Sequence, residues 1–224
     1  MSYLNLSQET NINAVSEDFA AMDPTILAGY KIKFDKEVKI AIADSQNSQN
    51  EEIRIIRVRI AEKTENNNLS EVRIELEDNL DVGFFNECTI TASEFDQLQS
   101  SNRLRVNFKD FTNSIKDLLE KSVKTPESYQ LIFKQDDDYG GDLTFIQSLK
   151  LRRVVVFSLH FVLSPHDFIR TQVQYRFNKV KLELKLREDE IDTKFKQVKS
   201  RSPAQEKILR SSIEGALKKR NINK

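Results

Sequence analysis

The sequence predicts an α+β protein: a small strand-rich head, built as a β-barrel or sandwich, followed by one long C-terminal helix. Three observations predict it. Short runs with an apolar residue at every second position recur between residues 30 and 163, the period of half-buried strands. Between residues 91 and 124 the apolar spacing changes to three and four, the period of helices that bury one face. Between Pro165 and Ser202 there is neither glycine nor proline, a length that suits a helix of roughly 50 Å and no ordinary strand.

Residues 1–24 are polar without sustained periodicity and are expected to be a flexible N-terminus. The globular β-rich head is expected to span 25–164. Tyr30, Ile32 and Phe34 alternate with charged residues, and Val38, Ile40 and Ile42 follow. SQNSQNEE (45–52) predicts a loop. In IRIIRVRI, Ile53 and Ile55 share one parity while Ile56, Val58 and Ile60 share the other, which predicts a β-bulge between them. TENNN (64–68) predicts a second loop, ahead of a strand carrying Val72, Ile74 and Leu76.

Thr91 and Glu94 have capping-box spacing, and Phe95 and Leu98 then share one face of a short helix. LRVNF (104–108) alternates and predicts a short strand. Phe111, Ile115, Leu118 and Leu119 return at helical spacing from about Asp110 to Lys124. YQLIFKQ (129–135) and LTFIQSLKL (143–151) flank DDDYGGD, whose Gly140-Gly141 suits a hairpin turn. RRVVVFSLHFVL (152–163) predicts a long strand with Phe157, Leu159, Phe161 and Leu163 on one face.

Ser164-Pro165 opens the stalk helix, 165–202. Within it Val180, Leu182, Leu184 and Leu186 alternate like a strand, but length and the abundance of Glu, Lys, Leu, Arg and Gln decide for helix. Phe177, Leu184, Ile191 and Val198 are spaced by seven and fill the a positions of a coiled coil; Val173, Val180, Arg187 and Lys194 fill the d positions. The basic d layers predict weak pairing. Leu182 and Leu186 fall off this seam and are expected to lean against the head. Ser202-Pro203 starts a basic C-terminal helix or tail, 203–224, ending in KKRNINK.

Charge balances over the chain, with 35 Lys/Arg against 35 Asp/Glu, but residues 164–224 carry 16 Lys/Arg against 8 Asp/Glu. A basic tail fits an anionic partner or a solvated lysine-rich helix. No apolar run reaches the length of a membrane span and the start lacks a signal-peptide pattern, so an intracellular chain with no membrane partner is expected. The single cysteine, Cys88, excludes an internal disulfide and a cysteine zinc site. His160 and His166 have no third ligand nearby, and Asp136-Asp137-Asp138 lacks calcium-loop spacing. Nucleophile-elbow and phosphate-loop motifs are absent. No catalytic residue, cofactor or metal is expected, and the chain reads as a non-enzyme.

DVGFFNECTITASEFDQLQSSNRLRVNFKDFTNSIKDLLEK (81–121) resembles the signature of the centriolar cartwheel protein family, the spindle-assembly-abnormal six proteins. Phe95 and Leu98 fill its first helix. Leu104, Val106 and Phe108 fill its strand, with Asn107 in place of an acidic residue, and Ile115, Leu118 and Leu119 fill its second helix. YRFNKVK (175–181) resembles the start of the family's coiled coil.

The resemblance implies a β-barrel head with a helix-turn-helix insertion and a parallel coiled-coil homodimer. It implies a self-assembling scaffold of the centriole or basal-body cartwheel, in the cytoplasm and cytoskeleton, acting in centriole duplication. Its partners would be itself, other centriolar proteins and, through the basic tail, microtubules. It further implies a head-to-head contact in which a large apolar residue on a hairpin tip enters a pocket on the neighbouring head, so that alternating contacts close a ring. That tip residue is Leu151, flanked by Leu149, Lys150 and Arg152. Leucine stands where the family usually has phenylalanine, a loss of about 1 kcal/mol. The alternatives are a cartwheel-like paralogue that forms no ring and a DNA end-joining scaffold of the same head-plus-stalk design. The lysine-biased tail, with few arginines, argues against nucleic acid.

Overall fold

In the computed structural model, which describes residues 19–44, 47–136, 138 and 140–201, the alternating runs become seven strands. These are β1 (Lys31–Asp44), β2 (Asn47–Glu65), β3 (Asn68–Asp78), β4 (Phe85–Thr91), β5 (Tyr129–Gln135), β6 (Gly141–Ser148) and β7 (Arg153–Leu163). They close into a barrel in the order β1-β2-β3-β4-β7-β6-β5. Neighbours are antiparallel, except that β1 and β5 run parallel from Ala41↔Ile132 to Asp44↔Gln135. Inward-facing Ile40, Ile56, Val58, Ile60, Ile74 and Phe133 are among the residues that fill the core.

The strands are accompanied by helices α1 (Pro24–Leu27), α2 (Ala92–Asn102), α3 (Phe108–Lys124) and α4 (His166–Arg201). The chain forms two compact units. One runs from Ala20 to Val173, so it holds the barrel and the first turns of α4; the other holds Phe19 and α4 from Gln174 onward. The barrel unit therefore begins inside the terminus expected to be flexible: Asp23 is buried in it and accepts from the Thr25 amide at the start of α1. Residues 1–18 and the expected basic helix 203–224 lie outside the described residues. No described helix is long and apolar enough to cross a membrane.

The register corrects three sequence expectations. The runs around Tyr30 and Val38 belong to one continuous strand, β1. The expected loop 45–52 shrinks, because β2 begins at Asn47 and pairs with Asp44. The bulge expected at Ile55/Ile56 is absent, since pairing with β1 runs unbroken from Phe34↔Ile60 to Ala43↔Glu51; the shifts fall instead at Ile32/Phe34 and Ala43/Asp44. Ile53 and Ile55 simply keep the outward parity and stay exposed. Hydrogen-bond register fixes parity, and isolated surface apolar residues are tolerated.

Residues 104–108 form no strand. Arg103 ends α2 in the left-handed region (φ 52°). The Leu104 amide donates to the Gln99 carbonyl, the Gln99 side-chain amide to the Val106 carbonyl, and Phe108 already belongs to α3. The alternation of Leu104 and Val106 reflects a connector whose backbone is satisfied by the end of α2 while its side chains reach the core.

Turns follow residue chemistry. Asn66 and Asn67 (φ 51° and 63°) make the tight β2–β3 hairpin. Gly141 closes β5–β6 at φ 156°, where an added Cβ would sit 2.2 Å from the Lys134 carbonyl oxygen. Cys88 faces inward on β4, and burial, helped by Glu94 and Glu87, pushes its thiol up to about 12. The native protein is therefore expected to resist iodoacetamide at pH 8, while the urea-unfolded chain alkylates readily; labelling at equal rates would contradict the burial.

Candidate assembly surfaces

The β6–β7 hairpin ends in the tightest possible loop. Ser148 pairs with Arg153, and Leu149 and Arg152 exchange backbone bonds of 2.8 and 3.3 Å. Lys150 and Leu151 alone make the turn. Leu151 is 99% exposed and Leu149 is 49% exposed, flanked by exposed Lys150 and Arg152. A leucine at such a tip has no surface of its own head to bury against. A few residues below the tip of the same hairpin lies a small, mostly apolar notch lined by Leu118, Ser122, Tyr129, Gln130, Leu131, Phe145, Ile146 and Val156. Lys121 caps the Tyr129 ring at 5.6 Å.

The signature residues of 81–121 serve packing. Thr91 and Glu94 form the expected capping box, which starts α2. Phe95 is buried between Phe108 and Phe111, at ring distances of 5.3 and 4.8 Å. Phe111 continues to Phe157 (6.3 Å), which stacks on Phe145 (4.5 Å). Ile115 and Leu119 are buried beside them, and Leu98, Leu104, Val106, Phe108 and Leu118 pack partly buried against the same core. Together they hold α2 and α3 against the barrel.

Along α4, Phe177, Val180, Leu184 and Ile191 are 50–64% exposed, while Val173 and Val198 are half-buried. Arg187 and Lys194 interrupt this stripe where the spacing placed them, and Lys194 pairs with Glu190 one turn back at 2.5 Å. Leu182 and Leu186 are half-buried. The barrel unit ends at Val173, so these leucines belong to the helical unit.

Sequence reasoning missed a buried ionic cluster on the outer face of β2 and β3. Arg59, 1% exposed, bonds Asp23 Oδ2 at 2.7 Å and Glu75 Oε2 at 2.8 Å through Nε. It also donates to Thr25 Oγ1 at 2.6 Å and lies 3.5 Å from Glu77. Burial pulls its guanidinium down, but Glu75, Glu77 and Asp23 outweigh that and hold it above its ordinary value. Thr25 donates to Glu75 and accepts from the buried Gln172 of α4 at 2.9 Å.

Arg73 extends the cluster. It pairs with Glu75 and Glu87, and its guanidinium lies 4.6 Å from the centre of the Phe168 ring. Phe168 meets Phe85 edge-on at 5.7 Å. The Ser164 hydroxyl donates to Glu87, so it ties the root of α4 to β4. Nearby, burial and the bond to Glu71 push the Tyr30 hydroxyl up to about 12. The available sequence signal was opposite charge on facing positions: Arg59 lies across from Glu75 and Arg57 from Glu77.

With this geometry in view, comparison with known proteins is informative. No curated protein sequence matches the chain. Among solved structures, an N-terminal fragment of Leishmania SAS-6 containing parts of its coiled coil aligns at TM-score 0.66 and 15% identity, over 77% of this chain and 96% of that one. An N-terminal Drosophila melanogaster Sas-6 fragment, described as dimerised via the coiled-coil domain, aligns at TM-score 0.67 and 12% identity over 86% and 95%. The N-terminal coiled-coil dimer of C. elegans SAS-6 aligns at TM-score 0.55 and 15% identity over 73% and 99%. These share the fold. The family model described as the centriolar protein SAS N-terminal domain matches residues 32–161, which take in nearly the whole barrel and its inserted helices. The chain therefore belongs to the centriolar SAS protein family, and its barrel with the two inserted helices is that family's N-terminal head.

Proposed function

We propose that this chain is a structural subunit of the centriole or basal-body cartwheel that assembles through two contacts with copies of itself. The observation that carries the reading is Leu151, fully exposed on a two-residue tip beside an apolar notch. In a two-fold head pair each tip enters the notch of the other head, the isologous arrangement that symmetric dimers use. Lys150 and Arg152 flank the plug and suit the acidic balance of the residues ahead of the stalk. The second contact is the exposed stripe of Phe177, Val180, Leu184 and Ile191, which pairs α4 helices in parallel; the Drosophila fragment is described as dimerised via its coiled-coil domain and the C. elegans one as a coiled-coil dimer. Alternation of the contacts would build a ring or a filament, whose further partners are other centriolar proteins in the cytoskeleton.

Sedimentation velocity over a wide concentration range tests this on the full chain. Wild type is expected to pass through dimers to larger species. Leu151→Glu should stop at dimers, because losing a buried leucine forfeits ~1.5–3 kcal/mol, at least about tenfold in affinity. Phe177→Asp/Leu184→Asp should stop at dimers of the other kind, and the combined variant should be monomeric. Larger species that persist in Leu151→Glu would refute this head contact, and wild type that stops at dimers would favour a paralogue that forms no ring.

A further inference from the structure

We propose that charge selects the mate in the head-to-head contact: Lys150 and Arg152 of one head pair with Asp117 and Glu127 on the notch rim of a second copy. The inference rests on the tip-in-notch reading and names the groups that make that contact selective. Burial of Leu151 alone cannot do so, because apolar attraction has no direction and a leucine fits many apolar notches.

The placement follows from the bonds at this end of the barrel. The notch takes Leu118 and Ser122 from α3 and Tyr129, Gln130 and Leu131 from β5. Asp117 directly precedes Leu118 on α3. Glu127 lies in the turn between α3 and β5, where the Ser128 and Tyr129 amides both donate to the Thr125 carbonyl, at 2.9 and 3.0 Å. One carboxylate therefore stands on the helix side of the notch and the other at its turn. The Ser148 amide donates to the Ser128 carbonyl at 2.8 Å, so the same turn lies against the base of the tip. Tip and notch are neighbours on one head. A two-fold operation that exchanges tips lays Lys150 and Arg152 of each head along the rim of the other.

The charges are available for that contact. Asp117, Glu127, Lys150 and Arg152 are all exposed, and none takes part in an ion pair among the described residues. Glu120 is already engaged, because it holds Lys36 at 3.0 Å and Lys124 at 3.6 Å. Lys121 is the opposing group. It lies over the Tyr129 ring and repels an incoming basic tip, but Asp117 and Glu127 outnumber it. Charges on the rim of an interface act chiefly on encounter and on the choice of partner.

Sedimentation velocity tests this on the full chain carrying Phe177→Asp/Leu184→Asp, in which only the heads can pair. Asp117→Lys/Glu127→Lys and Lys150→Glu/Arg152→Glu should each weaken dimerisation by about tenfold or more, since like charges then face one another twice. An equimolar mixture of these two variants should recover dimers, because every tip then meets a rim of opposite sign. Lys121→Met should tighten the parent pair, and raising NaCl from about 50 to 500 mM should loosen it. The altered residues are exposed and make no ion pair within their own head, so far-UV circular dichroism and Tm should stay at the parent values. Reversed variants that pair like the parent, or a mixture that stays monomeric, would overturn the proposal. Leu151→Glu in the same chain separates this from a failure of the underlying reading. Dimers that resist Leu151→Glu refute the tip-in-notch contact itself; dimers lost to Leu151→Glu but indifferent to the charge reversals refute only the selection by charge.

Discussion

Arg59→Met is expected to lower the unfolding free energy of the barrel unit by about 3–5 kcal/mol, the usual cost of removing one partner from a buried charge cluster. Arg59 is 1% exposed and is shared by Asp23, Glu75 and Glu77, of which Glu75 and Glu77 are fully buried. Methionine matches much of the volume but removes the cation that Asp23, Glu75 and Glu77 share, leaving Arg73 beside Glu75 and Arg57 beside Glu77 at the edge of the cluster. Urea unfolding at pH 7, followed by far-UV circular dichroism, measures the loss. Glu75→Gln in the same chain should return part of it, since the two changes remove a coupled pair and are not additive. Lys36→Met, which breaks a surface pair with Glu120, should leave the midpoint unchanged. Because Thr25 receives both Arg59 and Gln172, the Arg59 variant should also speed amide exchange in the first turns of α4. A shift below about 1 kcal/mol, in the range of exposed pairs, would show that the cluster is solvated in solution.

Phe111→Ala is expected to cost about 3–5 kcal/mol, the range for emptying a buried aromatic site. Its ring is buried between Phe95 and Phe157, and those neighbours sit on different elements, α2 and β7, that cannot collapse together into the space. For a chain of this size the loss corresponds to a fall in Tm of about 6–20 °C. Phe108→Ala provides the contrast. Phe108 also touches Phe95 but is only partly buried, so its loss should be clearly smaller. Thermal unfolding of both variants checks the order. Equal shifts would mean that Phe111 is no more central than the helix start.

Much of this fold was legible because barrels write their inner face into the sequence at period two. Val72, Ile74 and Leu76 read as a strand and are one. The Thr91/Glu94 cap read as a helix start and is one. The misreadings share a cause: a local pattern of apolar residues does not carry register. Ile53 and Ile55 imitated a bulge because nothing local says which face is covered. Leu104 and Val106 imitated a strand because a connector can also send alternate side chains inward. Arg59, Glu75 and Glu77 imitated a solvated face, because charge at alternate positions looks the same whether water or α1 and α4 lie over it. Leu151 was reached by resemblance, and its full exposure on a two-residue turn could not be read from the residues alone.

The strand order has a kinetic consequence for assembly. The barrel consists of two meanders, β1–β4 and β5–β7, and only four residue pairs between β1 and β5 and two between β4 and β7 join them. Hairpins within a meander form quickly, whereas contacts between strands so distant in sequence are slow to find. A chain still being synthesised therefore holds the first meander with two unpaired edges until the second arrives. The tip that carries Leu151 and most of the notch that would receive it, Tyr129, Leu131, Phe145, Ile146 and Val156, all lie in the late half. Most of the residues that the proposed head contact would use therefore emerge only late in synthesis.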